Sequence, residues 1–228
     1  MRNLVIIPTY NELDNIRPMI DKVFSLPEKF DLLIIDDGSP DGTAAIVKEQ
    51  QRVYPGSLHL IERSGKLGLG TAYLAGFRWA LENGYDYVFE MDCDFSHNPD
   101  DLVIGSRYVT GVNVVNWPMK RVLMSYYASA YVRFVTGMPV RDATAGFVCY
   151  SAKLLRTMDM DAVRMKGYGF QVEMKYTAWK LGFRVKEVPI IFTERTLGAS
   201  KMSGGIFREA FFGVLKLRFR SIKPRSAA

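Results

Sequence analysis

Asp92 and Asp94 bracket a single residue, Cys93, at the end of the apolar run DYVFEMD (Asp86–Asp92). On an extended chain both carboxylates project the same way, and neighbouring carboxylates repel unless a cation lies between them. Oxygen donors at this spacing suit Mg²⁺ or Mn²⁺ carrying a diphosphate; the bland alternative is a solvated acidic turn. Three more polar stretches follow apolar runs in the same manner. The first is Thr9–Glu12. The second is IIDDGSPDGT (Ile34–Thr43), where Asp37 could accept hydrogen bonds from a nucleobase or ribose and Asp41 reads as a helix cap. The third is SGKLGLGTAYLAG (Ser64–Gly76), where Lys66 offers a cation to phosphate and Gly68 and Gly70 permit close backbone approach. It could equally be a glycine turn opening a helix, and its glycines match neither the P-loop nor G-x-G-x-x-G. Arg107 ends the run VIGSRY (Val103–Tyr108). Arg121, Arg195 and Lys201 also lie near tight turns and, taken singly, read as solvated charges. His59 and His97 are the only histidines and have no Ser or Cys partner pattern, so a nucleophilic triad is not expected.

The elements that would position these residues alternate between strand and helix. Strands are expected at Leu4–Pro8, Asp31–Asp37, Leu58–Glu62 and Asp86–Asp92, with helices over Asn11–Leu26, Ala44–Val53 and Thr71–Glu82. Asn11 or Asp14 would cap the first helix. Strands without polar alternation, separated by helices, predict an α/β fold with a mostly parallel central sheet flanked by helices. In such sheets ligands bind beyond the C-terminal strand ends, where all four polar stretches fall. The second half predicts strands at Val103–Tyr108, Gly146–Tyr150 and Arg184–Phe192. Helices are expected over Met119–Val135 and Gly169–Leu181, with a basic amphipathic one over Ser203–Phe219. That last helix could lie in a membrane interface or pack on the sheet.

Composition narrows the classes. The 228 residues are 48% hydrophobic and 24% charged, which excludes a disordered or fibrous chain and suits one domain. Thirty basic against 24 acidic residues leave a net charge of +6, which favours anionic partners without choosing among them. A basic nucleic-acid-binding module is therefore an alternative, but no helix-turn-helix, zinc or RNA-binding signature is present. The two separated cysteines suggest a reducing compartment. No signal peptide or membrane-spanning run is expected.

Taken together the motifs resemble a known family. PTYNE (Pro8–Glu12), IIDDGSPDGT, KLGLGTAYLAGF (Lys66–Phe77) and MDCDFSHNPDDL (Met91–Leu102) are followed by GSRYVTG (Gly105–Gly111) and NWPMKR (Asn116–Arg121). DATAGF (Asp142–Phe147), GYGFQVEM (Gly167–Met174) and RTLGASKM (Arg195–Met202) complete the series. The order resembles GT-A glycosyltransferases of family 2, in particular the dolichol-phosphate mannosyltransferases, also called polyprenol monophosphomannose synthases. The resemblance implies a catalytic domain over residues 1–203 and a basic C-terminal segment over 204–228. It implies inverting transfer of mannose from GDP-mannose to a polyprenyl phosphate, with a divalent metal, Mg²⁺ or Mn²⁺, as cofactor. A UDP-sugar donor to the same type of lipid is the alternative. Pro8, Tyr10, Glu12, Ile35 and Asp37 would hold guanosine, with Lys66 beside it. Asp92, Cys93 and Asp94 would hold ribose, diphosphate and metal, with Ser96 as the third metal position, where archaeal relatives often carry glutamine. Arg107, Arg121, Ser125, Arg195 and Lys201 would clasp acceptor and donor phosphates, and Gln171 and Glu173 would line the sugar. The resemblance further implies a peripheral protein on the cytoplasmic face of a membrane, with room for a separate membrane-anchor protein and no nucleic-acid partner. Relatives have a longer helix after NPDDL. Here only the residues Cys93–Leu102 are left for that crossover, at the lower limit of about 10–12 residues.

Overall fold

The computed structural model describes residues 1–93, 105–165, 167–193 and 204–225, with backbone alone at 168 and 204–210. In chain order it forms β1 (Asn3–Thr9), α1 (Leu13–Phe24), β2 (Asp31–Asp36), α2 (Thr43–Gln50), β3 (Leu58–Glu62), α3 (Leu69–Glu82) and β4 (Tyr87–Glu90). There follow β5 (Gly105–Ser106), β6 (Val114–Val115), α4 (Met119–Thr136), β7 (Val148–Ser151) and α5 (Ala152–Thr157). The chain continues through α6 (Gly167–Lys180), β8 (Val188–Pro189), β9 (Phe192–Thr193) and α7 (Gly204–Phe219). The main sheet has the order β3-β2-β1-β4-β7, parallel except for β7, which runs antiparallel to β4.

The unbroken apolar strands are explained by cover on both faces. Along β1, Leu4 and Ile6 face α3 and α6, whereas Val5 and Ile7 face α1. Gly76 lets α3 lie flat on the sheet: a Cβ there would stand 2.7 Å from Ile6 Cδ1 and 2.9 Å from Ile35 Cδ1. Because β1 to β4 are adjacent and parallel, their following loops share one edge, as the strand pattern implied.

Three local expectations need correction. Neither Asn11 nor Asp14 caps α1. Glu12 stands at the cap position, its side chain accepting from Asn15 Nδ2 (2.9 Å) rather than capping a backbone N–H, and Asp41 Oδ2, from the next loop, accepts the Leu13 N–H at 3.1 Å. Arg184–Phe192 is not one strand. Val188 and Pro189 pair with Gly105 and Ser106, while Phe192 and Thr193 pair with Val114 and Val115. Two different partners, and a proline that lacks the ladder N–H, split the segment. Of the strand expected at Val103–Tyr108, the described part retains only Gly105–Ser106 as strand.

The helix α7 does not lie on the sheet. Val214 and Leu217 pack with Val132 of α4 and with Val172 and Tyr176 of α6 in a separate apolar cluster. No helix among the described residues is long and apolar enough to cross a membrane.

Candidate active site

The first two loops of the shared edge are stitched together by carboxylates. Asp36 accepts from Thr9 Oγ1 (2.9 Å), from the Ser39 N–H (2.8 Å) and from Ser39 Oγ (2.6 Å), which fixes the turn after β2. Gly38 completes that turn at φ +68°, and a Cβ there would meet the Arg63 carbonyl at 3.2 Å. Asp41 accepts from Thr43 as well as from Leu13; burial alone would raise its carboxyl, but these bonds together hold it below its ordinary value. Asp36 and Asp41 are thus occupied in building the loops.

Asp37 faces the edge, paired with Arg63. The Arg63 Nε donates to Asp37 Oδ1 at 2.6 Å, and Thr71 Oγ1 accepts from the same guanidinium at 2.8 Å. Sequence reasoning passed over Arg63; its place one residue beyond β3 was the available signal. Lys66 Nζ lies 4.9 Å from the centre of the Tyr10 ring, so these two candidates meet. Pro8 pairs with Ile35 in the sheet register. Ile35 itself must be removed from the donor-binding set: it has no exposed surface and is packed in the core beneath α3.

Asp92 follows β4 on the same edge and is half-buried; Cys93 is buried beside it. Asp94 and Ser96, expected as metal ligands, and Arg195 and Lys201, expected at phosphate, lie outside the described residues. Asp92 Oδ2 faces Gly146, where even a Cβ would stand at an ordinary 3.6 Å. The hard oxygen donor of Asp92 is the right chemistry for Mg²⁺ or Mn²⁺.

Gly146 belongs to the segment Asp142–Phe147, which also positions Arg107. Asp142 is wholly enclosed and accepts from Arg107 Nε (2.7 Å), from its terminal nitrogen (2.6 Å) and from its backbone N–H (3.0 Å). Burial opposes the Asp142 carboxylate, but the Arg107 charge and hydrogen bonds outweigh it and hold the pKa below its ordinary value. Trp117 places its ring 5.4 Å from the Arg107 guanidinium and 4.2 Å from that of Arg121. Ser125, one turn further along α4, lies beside the Tyr108 hydroxyl. Arg107, Arg121 and Ser125 therefore belong to one neighbourhood, and Asp142 is the residue that sequence reasoning missed.

Beneath the edge is a buried polar cluster. Glu90 ends β4 with no exposed surface, and burial pushes its carboxyl up, against the Gln171 amide and the Lys175 ammonium nearby. Burial pushes Lys175 down, and its Nζ donates to the carbonyls of Ala143 (3.1 Å) and Ala145 (2.5 Å). Gln171 thus sits buried under the edge. Glu173 does not line it: its fully buried carboxylate accepts from the backbone N–H groups of Arg164 (2.9 Å) and Met165 (2.7 Å) and pairs with Arg220.

A parallel α/β sheet with a polar edge, a carboxylate beyond the fourth strand and clustered arginines is the layout of a nucleotide-sugar transferase type of site. The chain belongs to glycosyl transferase family 2, whose family model matches residues 4–163. It is 46% identical to the polyprenol monophosphomannose synthase of Mycolicibacterium smegmatis, over 99% of this chain and 90% of that protein. It is equally 46% identical to the undecaprenyl-phosphate mannosyltransferase of Micrococcus luteus, over 99% of both. These alignments run over 238 and 241 positions, more than the 228 residues here, so both relatives carry residues without a counterpart in this chain. In fold it is similar to glucosyl-3-phosphoglycerate synthase of Mycobacterium tuberculosis, solved with Mn²⁺, UDP-glucose and glycerol 3-phosphate. That match has a TM-score of 0.66 and 19% identity, and covers 96% of this chain and 81% of that one. A Pyrobaculum calidifontis mannosyltransferase with GDP-mannose and Mn²⁺ gives a TM-score of 0.51 at 17% identity, covering 95% of this chain and 69% of that one.

Proposed function

We propose that this chain transfers mannose from GDP-mannose to a polyprenyl phosphate, with inversion, giving a polyprenyl phosphate mannose. The observation that carries the reading is the 46% identity, along 99% of the chain, to two enzymes named for that chemistry. In this reading Tyr10, Glu12, Asp37 and Lys66 receive the nucleoside. Asp92, together with Asp94 and Ser96, holds a divalent cation that neutralises the leaving diphosphate when bound. Arg107, Arg121 and Ser125 orient the acceptor phosphate.

The chemistry needs no general base. A monoester phosphate is already anionic near neutrality, with a second pKa of about 6. Its oxygen forms the new bond to the anomeric carbon while the bond to GDP breaks, so no proton must be taken. The protein's task is to hold two anions in line across one carbon. Arg107 is pre-set for this: two of its nitrogens are fixed on Asp142, and aromatic rings of Tyr108, Trp117 and Phe192 lie within 5.5 Å of its guanidinium.

The acceptor is a lipid, and the α4–α7 pair supports placement at a membrane surface. Leu123, Tyr127 and Phe134 on α4 and Phe211, Phe212 and Phe219 on α7 are exposed, and Lys216, Arg218 and Lys223 are exposed near them. Apolar residues fringed by bases suit an anionic interface. The deciding experiment offers GDP-mannose and UDP-glucose in turn, with Mn²⁺ and a polyprenyl phosphate, and follows radiolabel into the lipid phase. Label from GDP-mannose alone is expected. Label from UDP-glucose alone would replace the donor, and label from neither would overturn the reading.

A further inference from the structure

Besides the edge of the sheet, a second basic concavity opens on the flank of α4. Successive helical residues are turned by about 100°, and this divides α4 into three sides. Leu123, Tyr127 and Phe134 face outward, with Phe134 90% exposed. Tyr131 faces α7, stacked on Phe211 at 4.7 Å. Tyr126 and Arg133, two turns apart on the remaining flank, line a cavity of about 460 Å³ with Tyr108, Pro139 and Arg141. None of these five residues belongs to the donor or acceptor sets above.

The chemistry of this cavity is one-sided. Its lining residues include two arginines and no acidic residue. Arg133 and Arg141 make no ion pair among the described residues. Glu187, which approaches Arg141, spends its oxygens on the backbone N–H groups of Arg141 (2.7 Å) and Asp142 (2.8 Å). The Arg141 guanidinium is already anchored, one terminal nitrogen donating to the Val109 carbonyl at 2.8 Å. The Tyr108 hydroxyl is buried, with Ser125 beside it. Tyr126 stands edge-on to it, ring centres 5.6 Å apart. Two guanidiniums without an ion pair among the described residues, on one concavity, ask for an anion with several oxygens.

We propose that this cavity seats the phosphate of an anionic lipid headgroup. It borders the outward ridge of α4, since Arg133 directly precedes Phe134 in sequence. If that ridge enters the interface, the guanidiniums stand at headgroup depth. The seat rests on the reading that this face meets a membrane, and it deepens that reading by giving one lipid class a defined place. It borders the acceptor neighbourhood at Tyr108 but is lined by none of Arg107, Arg121 and Ser125. It would hold the enzyme on the bilayer with α4 oriented, rather than take part in transfer.

The test separates a shaped seat from diffuse attraction by keeping the charge and removing the geometry. The double variant Arg133→Lys, Arg141→Lys retains net charge but not the planar donor fork. Co-sedimentation with phosphatidylglycerol vesicles is compared with phosphatidylcholine vesicles. The wild type is expected to prefer phosphatidylglycerol, and the variant to bind it about tenfold more weakly. Turnover of a short water-soluble polyprenyl phosphate should stay unchanged, which also shows that the variant is folded. Equal binding of variant and wild type to phosphatidylglycerol would overturn the seat. Should the wild type bind no vesicles, the membrane reading itself fails, and inorganic phosphate then decides the seat by titration of tyrosine fluorescence. A saturable response lost in the double variant keeps the site as one for free phosphate; no response, or one unchanged in the variant, ends it.

Discussion

Asp142→Asn tests the claim that Arg107 is aimed by a buried carboxylate. The substitution keeps size and one oxygen but replaces the other acceptor with an amide that faces donors. Asp142 has no exposed surface and Arg107 is 8% exposed, so solvent does not screen the pair. Breaking a buried pair of this kind costs about 3–5 kcal/mol, because the remaining charge stays desolvated. Asparagine retains one acceptor, so the lower end, about 3 kcal/mol, is expected. For a chain of this length that lowers Tm by roughly 6–12 °C. With Arg107 loosened, kcat/KM for the lipid phosphate should fall about a hundredfold, while GDP-mannose affinity, measured by calorimetry, changes less than about twofold. The pH dependence has a definite sign. Folding holds the Asp142 pKa below its ordinary 3.8, so its contribution is fully present above that value and is lost as pH falls through the folded pKa. The Tm gap between wild type and variant should therefore be constant from neutral pH down to about 5 and shrink below about 4. A variant with wild-type Tm, or one losing donor and acceptor binding equally, would refute the assignment.

Asp92→Ala, and separately Asp94→Ala or excess chelator, should lower turnover at least about a thousandfold, while the melting curve of Asp92→Ala moves little because the side chain is half-exposed; chelator-resistant activity would remove the metal from the scheme. Cys149 should react with Ellman's reagent about a hundredfold more slowly in the native protein at neutral pH than after unfolding, since burial pushes its thiol up to about 12. Arg220→Ala should lower stability by about 2 kcal/mol by stranding one Glu173 oxygen, and proteolysis should then clip the chain after α7 sooner; an unchanged digest would mean that Arg220 does not tie down that segment.

The strands β1 to β4 were legible because a parallel strand covered on both faces must be an uninterrupted apolar run, and the positions of the polar loops followed from that topology. What failed did so for geometric reasons. Ile35 precedes Asp36 within the buried run LLIID, and alternation along β2 puts it on the same face as Leu33, toward α3. Gln171 and Glu173 are two residues apart on α6, hence about 200° apart around the axis, and cannot face the same ligand. Pairings were beyond reach from the sequence: 35 residues separate Arg107 from Asp142, and nothing local to VIGSRY indicates that its arginine is spoken for. The split of β8 from β9 was only hinted at by Pro189, because each half is defined by a different partner strand.

The two sides of α6 give the molecule a mechanical logic that neither end shows alone. On one side Lys175, four residues beyond Gln171, holds the Ala143 and Ala145 carbonyls, and the segment so held carries Asp142, which aims Arg107, and Gly146, which faces Asp92. On the opposite side Glu173 holds Arg220, just beyond α7, together with the backbone of Arg164 and Met165. Burying Glu90, Glu173 and Lys175 in one region is costly, and apolar residues of like size often serve stability as well or better. Stability alone therefore does not account for them. Direction does for Glu173 and Lys175: each is a fixed-length tie with a defined angle, and greasy packing supplies neither. Through these ties the helices that expose apolar side chains, α4 and α7, are held in register with the arginines and the carboxylate at the sheet edge. An enzyme whose acceptor arrives from a lipid layer needs that register, because a phosphate presented an ångström out of line with the anomeric carbon does not react.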